Sequence, residues 1–172
     1  MTDTAFTSRF FTSDPALVEV GVGDLVIGQH PQRLLTLALG SCVGVALWDA
    51  STHRGGLAHV MLPAPTTVAT EGTTGRFAST AVPELVSMLV QAGSARHHLR
   101  AKIAGGAAMF RREATIAHIG QRNVAEVKRQ LSLMSVPLVA EDTGETHART
   151  VELFLDTGVL FIRSYRFGDR EI

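Results

Sequence analysis

Between Leu34 and Leu62 the chain runs through three short apolar segments, Leu34 to Leu39, Val43 to Trp48 and Gly56 to Leu62. Short apolar runs bounded by turn chemistry read as β-strands. The first break, Gly40-Ser41-Cys42, interrupts what is otherwise one long apolar stretch, and a glycine at such a point marks a bulge or a close backbone approach. The second break follows Trp48. It predicts a β-hairpin with Val43 to Trp48 and Gly56 to Leu62 as its arms.

That hairpin decides which side chains meet. With Asp49 to Thr52 as the loop, Trp48 faces His53, Gly44 faces Leu57 and Cys42 faces His59. Directly opposed residues hold their Cβ atoms roughly 4.5–5.5 Å apart. A slip of one residue in each strand keeps Cys42 and His59 on one face as diagonal neighbours, roughly 7–8 Å apart at most. Either register pairs the chain's one cysteine with an imidazole. A thiol with a pKa of about 8.5 is only a few per cent ionised at neutral pH, so a nucleophilic cysteine needs a neighbour of this kind. Cys42 and His59 are therefore the candidate nucleophile and base. Taken singly, each also has a structural reading. Free cysteine is commonly a small buried hydrophobe, and a histidine within Leu57-Ala58-His59-Val60-Met61 suits a core position.

Four stretches in order carry a family resemblance: Thr36-Leu37-Ala38-Leu39-Gly40-Ser41-Cys42-Val43-Gly44-Val45, Gly55-Gly56-Leu57-Ala58-His59-Val60-Met61-Leu62-Pro63, Lys102-Ile103-Ala104-Gly105-Gly106-Ala107 and Ile119-Gly120-Gln121-Arg122-Asn123-Val124. Together the chain resembles the chemoreceptor glutamine deamidase family, CheD, over residues 18 to 163. The resemblance implies an amidohydrolase that converts glutamine side chains of bacterial chemoreceptors to glutamate with release of ammonia. It implies a catalytic cysteine, histidine and threonine at Cys42, His59 and Thr36, the threonine orienting the imidazole. It requires no cofactor. The ordinary alternative for Thr36 is a β-branched strand residue. By position, backbone N–H groups at Gly40, Ser41 and Cys42 suit an oxyanion. The expected partners are the cytoplasmic helical region of chemoreceptors and a CheC-type phosphatase. One stretch departs from the family pattern: a turn of the form Asp-x-Gly-Gly followed by Gly-Arg is replaced by Asp142-Thr143-Gly144-Glu145-Thr146-His147-Ala148-Arg149. Glu145 and His147 read there as solvated loop residues.

Composition narrows the remaining classes. At 172 residues with 45% hydrophobic content, the chain is long enough for one domain with a substantial core. The expected organisation is a flexible tail over residues 1–15 and a single domain over 16–172. A single cysteine forbids an internal disulfide and fits a reducing cytoplasm. The first fifteen residues lack the apolar core of a signal peptide, and no run approaches the about 20 apolar residues of a membrane span. Sixteen basic and sixteen acidic residues leave no net charge and no basic stripe, which argues against nucleic acid. The histidines His30, His53, His59, His97, His98, His118 and His147 show no metal-ligand spacing, so no metal site is expected. Gly105-Gly106 is a turn for close backbone approach, without a nucleotide-binding fingerprint.

Elsewhere helical and strand patterns alternate. Leu17 to Gly28 reads as β around a Gly21-Val22-Gly23-Asp24 turn, and Pro63 to Gly75 as a loop, with a lid or substrate-contact role and plain mobility as equal readings. Phe77 to Ala92 has helical spacing before Gly93, with Pro83 as a kink or the true start. Asn123 is read as the cap of a helix carrying Val124, Val127 and Leu131. Pro137 to Glu141, Arg149 to Leu155 and Val159 to Arg163 read as strands, the last two as a hairpin. The sum is an α+β fold, with a β-sandwich-like core of mixed and antiparallel sheets flanked by helices, similar to toxin-type cysteine deamidases by the family resemblance. Two readings stand beside deamidation: a binding module that docks on a CheC-type phosphatase without needing catalysis, and a thiol hydrolase of small amides or esters.

Overall fold

The computed structural model describes residues 14–67, 72, 74–109 and 118–172. Among these the chain forms β1 (Leu17–Glu19), β2 (Leu25–Gln29), β3 (Arg33–Leu39), β4 (Val43–Asp49), β5 (Arg54–Val60), helix α1 (Ala78–Gln91) and β6 (Leu99–Gly105). Helix α2 (Ile119–Leu133), β7 (Leu138–Thr143), β8 (Arg149–Phe154), β9 (Leu160–Ser164) and β10 (Gly168–Glu171) follow. The strands make two five-stranded mixed sheets, one ordered β1-β3-β8-β9-β10 and the other β2-β5-β4-β6-β7. The fold is α+β, with the two sheets stacked.

Alternation along β4 and β5 explains the layering. Val43, Val45 and Leu47 on β4, with Ala58 and Val60 on β5, join one apolar cluster with Leu85, Leu89, Val127 and Leu131 of the helices. Gly44, Ala46 and Trp48 alternate with them, and Ala46, Trp48 and Leu57 pack instead against Leu34, Val151, Leu153 and Ile162 of the other sheet. Successive side chains of a strand point to opposite faces, so the second sheet is buried on both. The helices that were expected to flank the sandwich both lie on its second sheet, giving layers of sheet, sheet and helix pair.

Helix α1 begins at Ala78, before Pro83, which lies inside it. Its end follows the sequence signal. Gly93 takes φ +105°, and the N–H groups of Gly93 and Ser94 close back on the carbonyls of Val90 and Leu89. The segments around the Gly21 to Asp24 turn do not form a hairpin, because β1 pairs in parallel with β3 while β2 pairs with β5 in the opposite sheet. Of the expected tail, residues 1–13 lie outside the described residues. Asp14 is tied to Arg33 by an ion pair of 2.6 Å. The proposed lid falls partly outside them as well, at 68–71 and 73.

Candidate active site

The Gly40-Ser41-Cys42 break is where the chain leaves one sheet for the other. β3 belongs to the first sheet and β4 to the second, so these three residues cross between the layers. A β-bulge prepares the crossing: Thr36 pairs with Val151 but Leu39 pairs with Arg149, which leaves one extra residue on β3. Ala38 absorbs it at φ +55°, a left-handed conformation that costs a non-glycine residue roughly 1–2 kcal/mol. Bulges commonly sit beside functional sites and re-aim side chains there.

In the β4–β5 hairpin the pairing runs Val43 with Val60, Gly44 with His59 and Asp49 with Arg54. Of the two registers admitted by the sequence this is the slipped one. Continued one residue past the end of β4, it sets Cys42 diagonally across from His59 on the face toward the first sheet.

Thr36 meets His59 from the opposite layer. Thr36 Oγ1 lies 2.7 Å from His59 Nδ1 and donates its own proton to the Val20 carbonyl at 2.7 Å. With that proton committed, Nδ1–H is the donor to Thr36, and Nε2 carries the lone pair. Nε2 is buried and has no hydrogen-bond partner. Burial pushes the His59 pKa below the ordinary imidazole value, opposed by the nearby Asp24 carboxylate. Burial pushes the Cys42 thiol up, opposed by a hydrogen bond from its own backbone N–H. Both shifts favour the neutral form of the group concerned.

The crossover is pinned on its carbonyls. Gly40 O accepts from Ala107 N at 2.8 Å, Ser41 O from Asn123 Nδ2 at 2.9 Å, and Cys42 O from Gly106 N at 2.8 Å. Gly105 explains the glycine pair read from the sequence. It adopts φ +108°, and a Cβ there would lie 2.3 Å from Cys42 O, so the close approach is to the candidate nucleophile's own backbone. Gly40 lies under Met109, whose Cγ a Cβ would meet at 3.1 Å.

Asn123 is not the cap that its position near a helix start suggested. Helix α2 begins at Ile119 with His118 before it, which places Asn123 in the second turn, fully buried. Its Nδ2 also donates to Met61 O at 2.9 Å. The signal was present in the sequence: Asn123, Val127 and Leu131 fall four residues apart, so a polar side chain occupies the apolar stripe of the helix. His147 is likewise corrected. It is only 8% exposed, with its ring 4.6 Å from that of Phe167. Glu145 is exposed, as read, but sits at φ +59°. Among the described residues no group of three or more potential ligands is placed to hold a metal ion.

The architecture defines a class: a two-sheet α+β domain that holds a threonine hydroxyl against an imidazole between its layers and sets its one thiol on the same face, where the chain crosses from one sheet to the other. Comparison with known proteins then gives the family. A model described as CheD chemotactic sensory transduction matches residues 61–164. The chemoreceptor glutamine deamidase CheD of Bacillus subtilis is 40% identical over 164 residues, covering 94% of this chain and 99% of that protein. The probable chemoreceptor glutamine deamidase CheD of Moorella thermoacetica is 44% identical over 153 residues, covering 87% of this chain and 92% of its own length. This chain belongs to the CheD family. The family-model match begins just after His59, whereas the alignment with the B. subtilis protein is too long to leave Thr36, Cys42 or His59 out.

Proposed function

We propose that this chain is a chemoreceptor glutamine deamidase working through Cys42, His59 and Thr36. The observation that carries the reading is the contact between Thr36 and His59 across the two sheets, which leaves Nε2 as an available base on the face shared with the only thiol. The substrate class comes from the relatives, which are named for it.

In this mechanism a receptor glutamine side chain binds against Cys42, and His59 Nε2 takes the thiol proton as the sulfur attacks the amide carbon. The resulting oxyanion accepts hydrogen bonds from backbone N–H groups of the crossover. His59 returns the proton to the nitrogen, the carbon–nitrogen bond breaks, and ammonia leaves a γ-glutamyl thioester on Cys42. His59 next removes a proton from water, whose oxygen adds to the thioester carbon. Collapse expels the Cys42 sulfur, which recovers the proton from His59, and the product is glutamate. Thr36 holds the ring in the one tautomer that serves both halves of the cycle. Neutral resting groups suit this sequence, because the proton moves only once a substrate is in place.

The receptor's cytoplasmic helical region is the proposed target, which places the enzyme in the cytoplasm. Among the described residues no helix is long and apolar enough to cross a membrane. Docking on a CheC-type phosphatase is the proposed second association, tested by pull-down with Cys42→Ala as bait. The reaction itself is tested by mass spectrometry of a chemoreceptor cytoplasmic fragment, with released ammonia measured in parallel. Wild-type protein is expected to convert glutamine to glutamate and Cys42→Ala to convert none. Conversion retained by Cys42→Ala would sink the thiol mechanism.

A further inference from the structure

Asn123 reaches from helix α2 to both halves of the site with a single amide. Its Nδ2 donates one proton to Ser41 O, immediately before Cys42, and the other to Met61 O, two residues beyond His59, each at 2.9 Å. The amide orientation follows from these partners, since the reverse would set Oδ1 against two carbonyl oxygens. The other two carbonyls of the crossover are held by backbone N–H groups of Gly106 and Ala107. The middle one depends on this side chain.

A trans peptide points its C=O and N–H in opposite directions within one plane. Fixing Ser41 O toward α2 therefore sends the Cys42 N–H away from the helix. That is also the side taken by the Cys42 side chain, which packs against the apolar cluster between the two sheets and not against the helices. The carbon attacked by the Cys42 sulfur carries its oxyanion next to the sulfur, so a donor on this side is placed where the negative charge develops. We propose that Asn123 is a positioning residue, which fixes the Ser41–Cys42 peptide so that its N–H serves the oxyanion and at the same time ties the Cys42 loop to the end of the His59 strand. The inference rests on Cys42 being the nucleophile. Asn123 is completely buried and its Oδ1 has no partner, so the amide stands in the apolar stripe at the cost of one unsatisfied oxygen while its Nδ2 satisfies two carbonyls of the site.

The test compares Asn123→Ala and the near-isosteric Asn123→Leu with Val127→Ala, a substitution on the same buried face that touches only the apolar cluster. Two quantities are read on protein shown to be folded by circular dichroism. The first is kcat and KM for receptor-fragment deamidation. The second is the pH dependence of Cys42 alkylation by iodoacetamide, which reports on one site because the chain has one cysteine. Either Asn123 variant is expected to lose about 10- to 100-fold in kcat, with KM within about twofold of wild type and the alkylation midpoint moved to higher pH. Val127→Ala is expected to lower stability while leaving both readouts near wild type. A folded Asn123→Leu with kcat within about threefold of wild type, or with an unmoved alkylation midpoint, overturns the proposal, as does a Val127→Ala protein that loses kcat equally. Alkylation needs no receptor. If wild-type protein fails to deamidate any receptor, the functional reading falls while the alkylation profiles still decide whether Asn123 sets the thiol's surroundings.

Discussion

Two buried histidines sit in similar surroundings and different company. His59 lies beside the crossover and His147 in the 142–149 loop, and burial pushes the pKa of each below the ordinary value, with Arg149 adding to the effect at His147. Ring nitrogens without partners occur at both, Nε2 of His59 and both nitrogens of His147. Thr36 holds one nitrogen of His59 and thereby defines the other, and the only thiol shares its face. His147 leans on Phe167 at the edge of a cleft of about 410 Å³ lined also by Glu141, Asp142 and Arg170, and no hydrogen bond fixes its tautomer. Burial and a displaced pKa describe an environment. A general base needs, in addition, a fixed tautomer and a proton to take.

The sharpest way to break this comparison is to exchange the fates of the two rings. His59→Ala is expected to reduce receptor deamidation by about 10³-fold or more, within the range for loss of a general acid–base group, whereas His147→Phe should stay within about threefold. Equal losses, read by mass spectrometry at matched folded concentration, would erase the distinction. Thr36→Val probes what makes His59 different. It removes the acceptor for Nδ1–H without changing the shape, and a loss of about 10²-fold in kcat is expected, smaller than for His59→Ala because the ring remains. Wild-type kcat would show that packing alone orients the imidazole.

Acid separates the two histidines further. Each has a folded pKa below its unfolded value of about 6.5. The sign follows: each stabilises the fold fully above that value, and the contribution is lost as pH falls through the folded pKa. His59 alone should also set the acid limb of kcat/KM, which is expected below about pH 6.5. In His147→Phe the acid sensitivity of the unfolding midpoint should shrink while the acid limb of activity stays in place. A shift of that limb in His147→Phe would contradict the assignment. The smallest effect concerns the loop alone. Glu145 stands at the second glycine of the family's Asp-x-Gly-Gly pattern and keeps a glycine-like φ of +59°. Glu145→Gly is expected to raise the unfolding free energy by about 1 kcal/mol, the cost of a left-handed side chain less the entropy of glycine, with kcat unchanged. Denaturant unfolding measures it.

Much of the second sheet was legible in the sequence, because β4, β5 and the face of α1 carry their periods in consecutive residues. Cys42 and His59 could be set on one face by counting along a hairpin, although the count left two registers. What the sequence hid was non-local. β3 and β4 are neighbours in the chain, and nothing in the local pattern tells a crossing between layers from a turn within one, so the approach of Thr36 to His59 rested on family resemblance. Asn123 was misplaced because an asparagine near a helix start has cap chemistry, and the helix begins four residues earlier at Ile119. The polar strand Gly168–Glu171 has no apolar alternation to announce it and exists through its antiparallel pairing with β9.

The contact across the layers also orders events in time. Thr36 lies on a strand held from the far side by β8, whose first residue is Arg149, and Asn123 arrives on α2. A chain interrupted before Arg149 carries the thiol and the imidazole but lacks the strand that holds Thr36 in place. During synthesis the proposed nucleophile and base therefore emerge early and are organised late, so a nascent or truncated copy is expected to have a cysteine without having an enzyme.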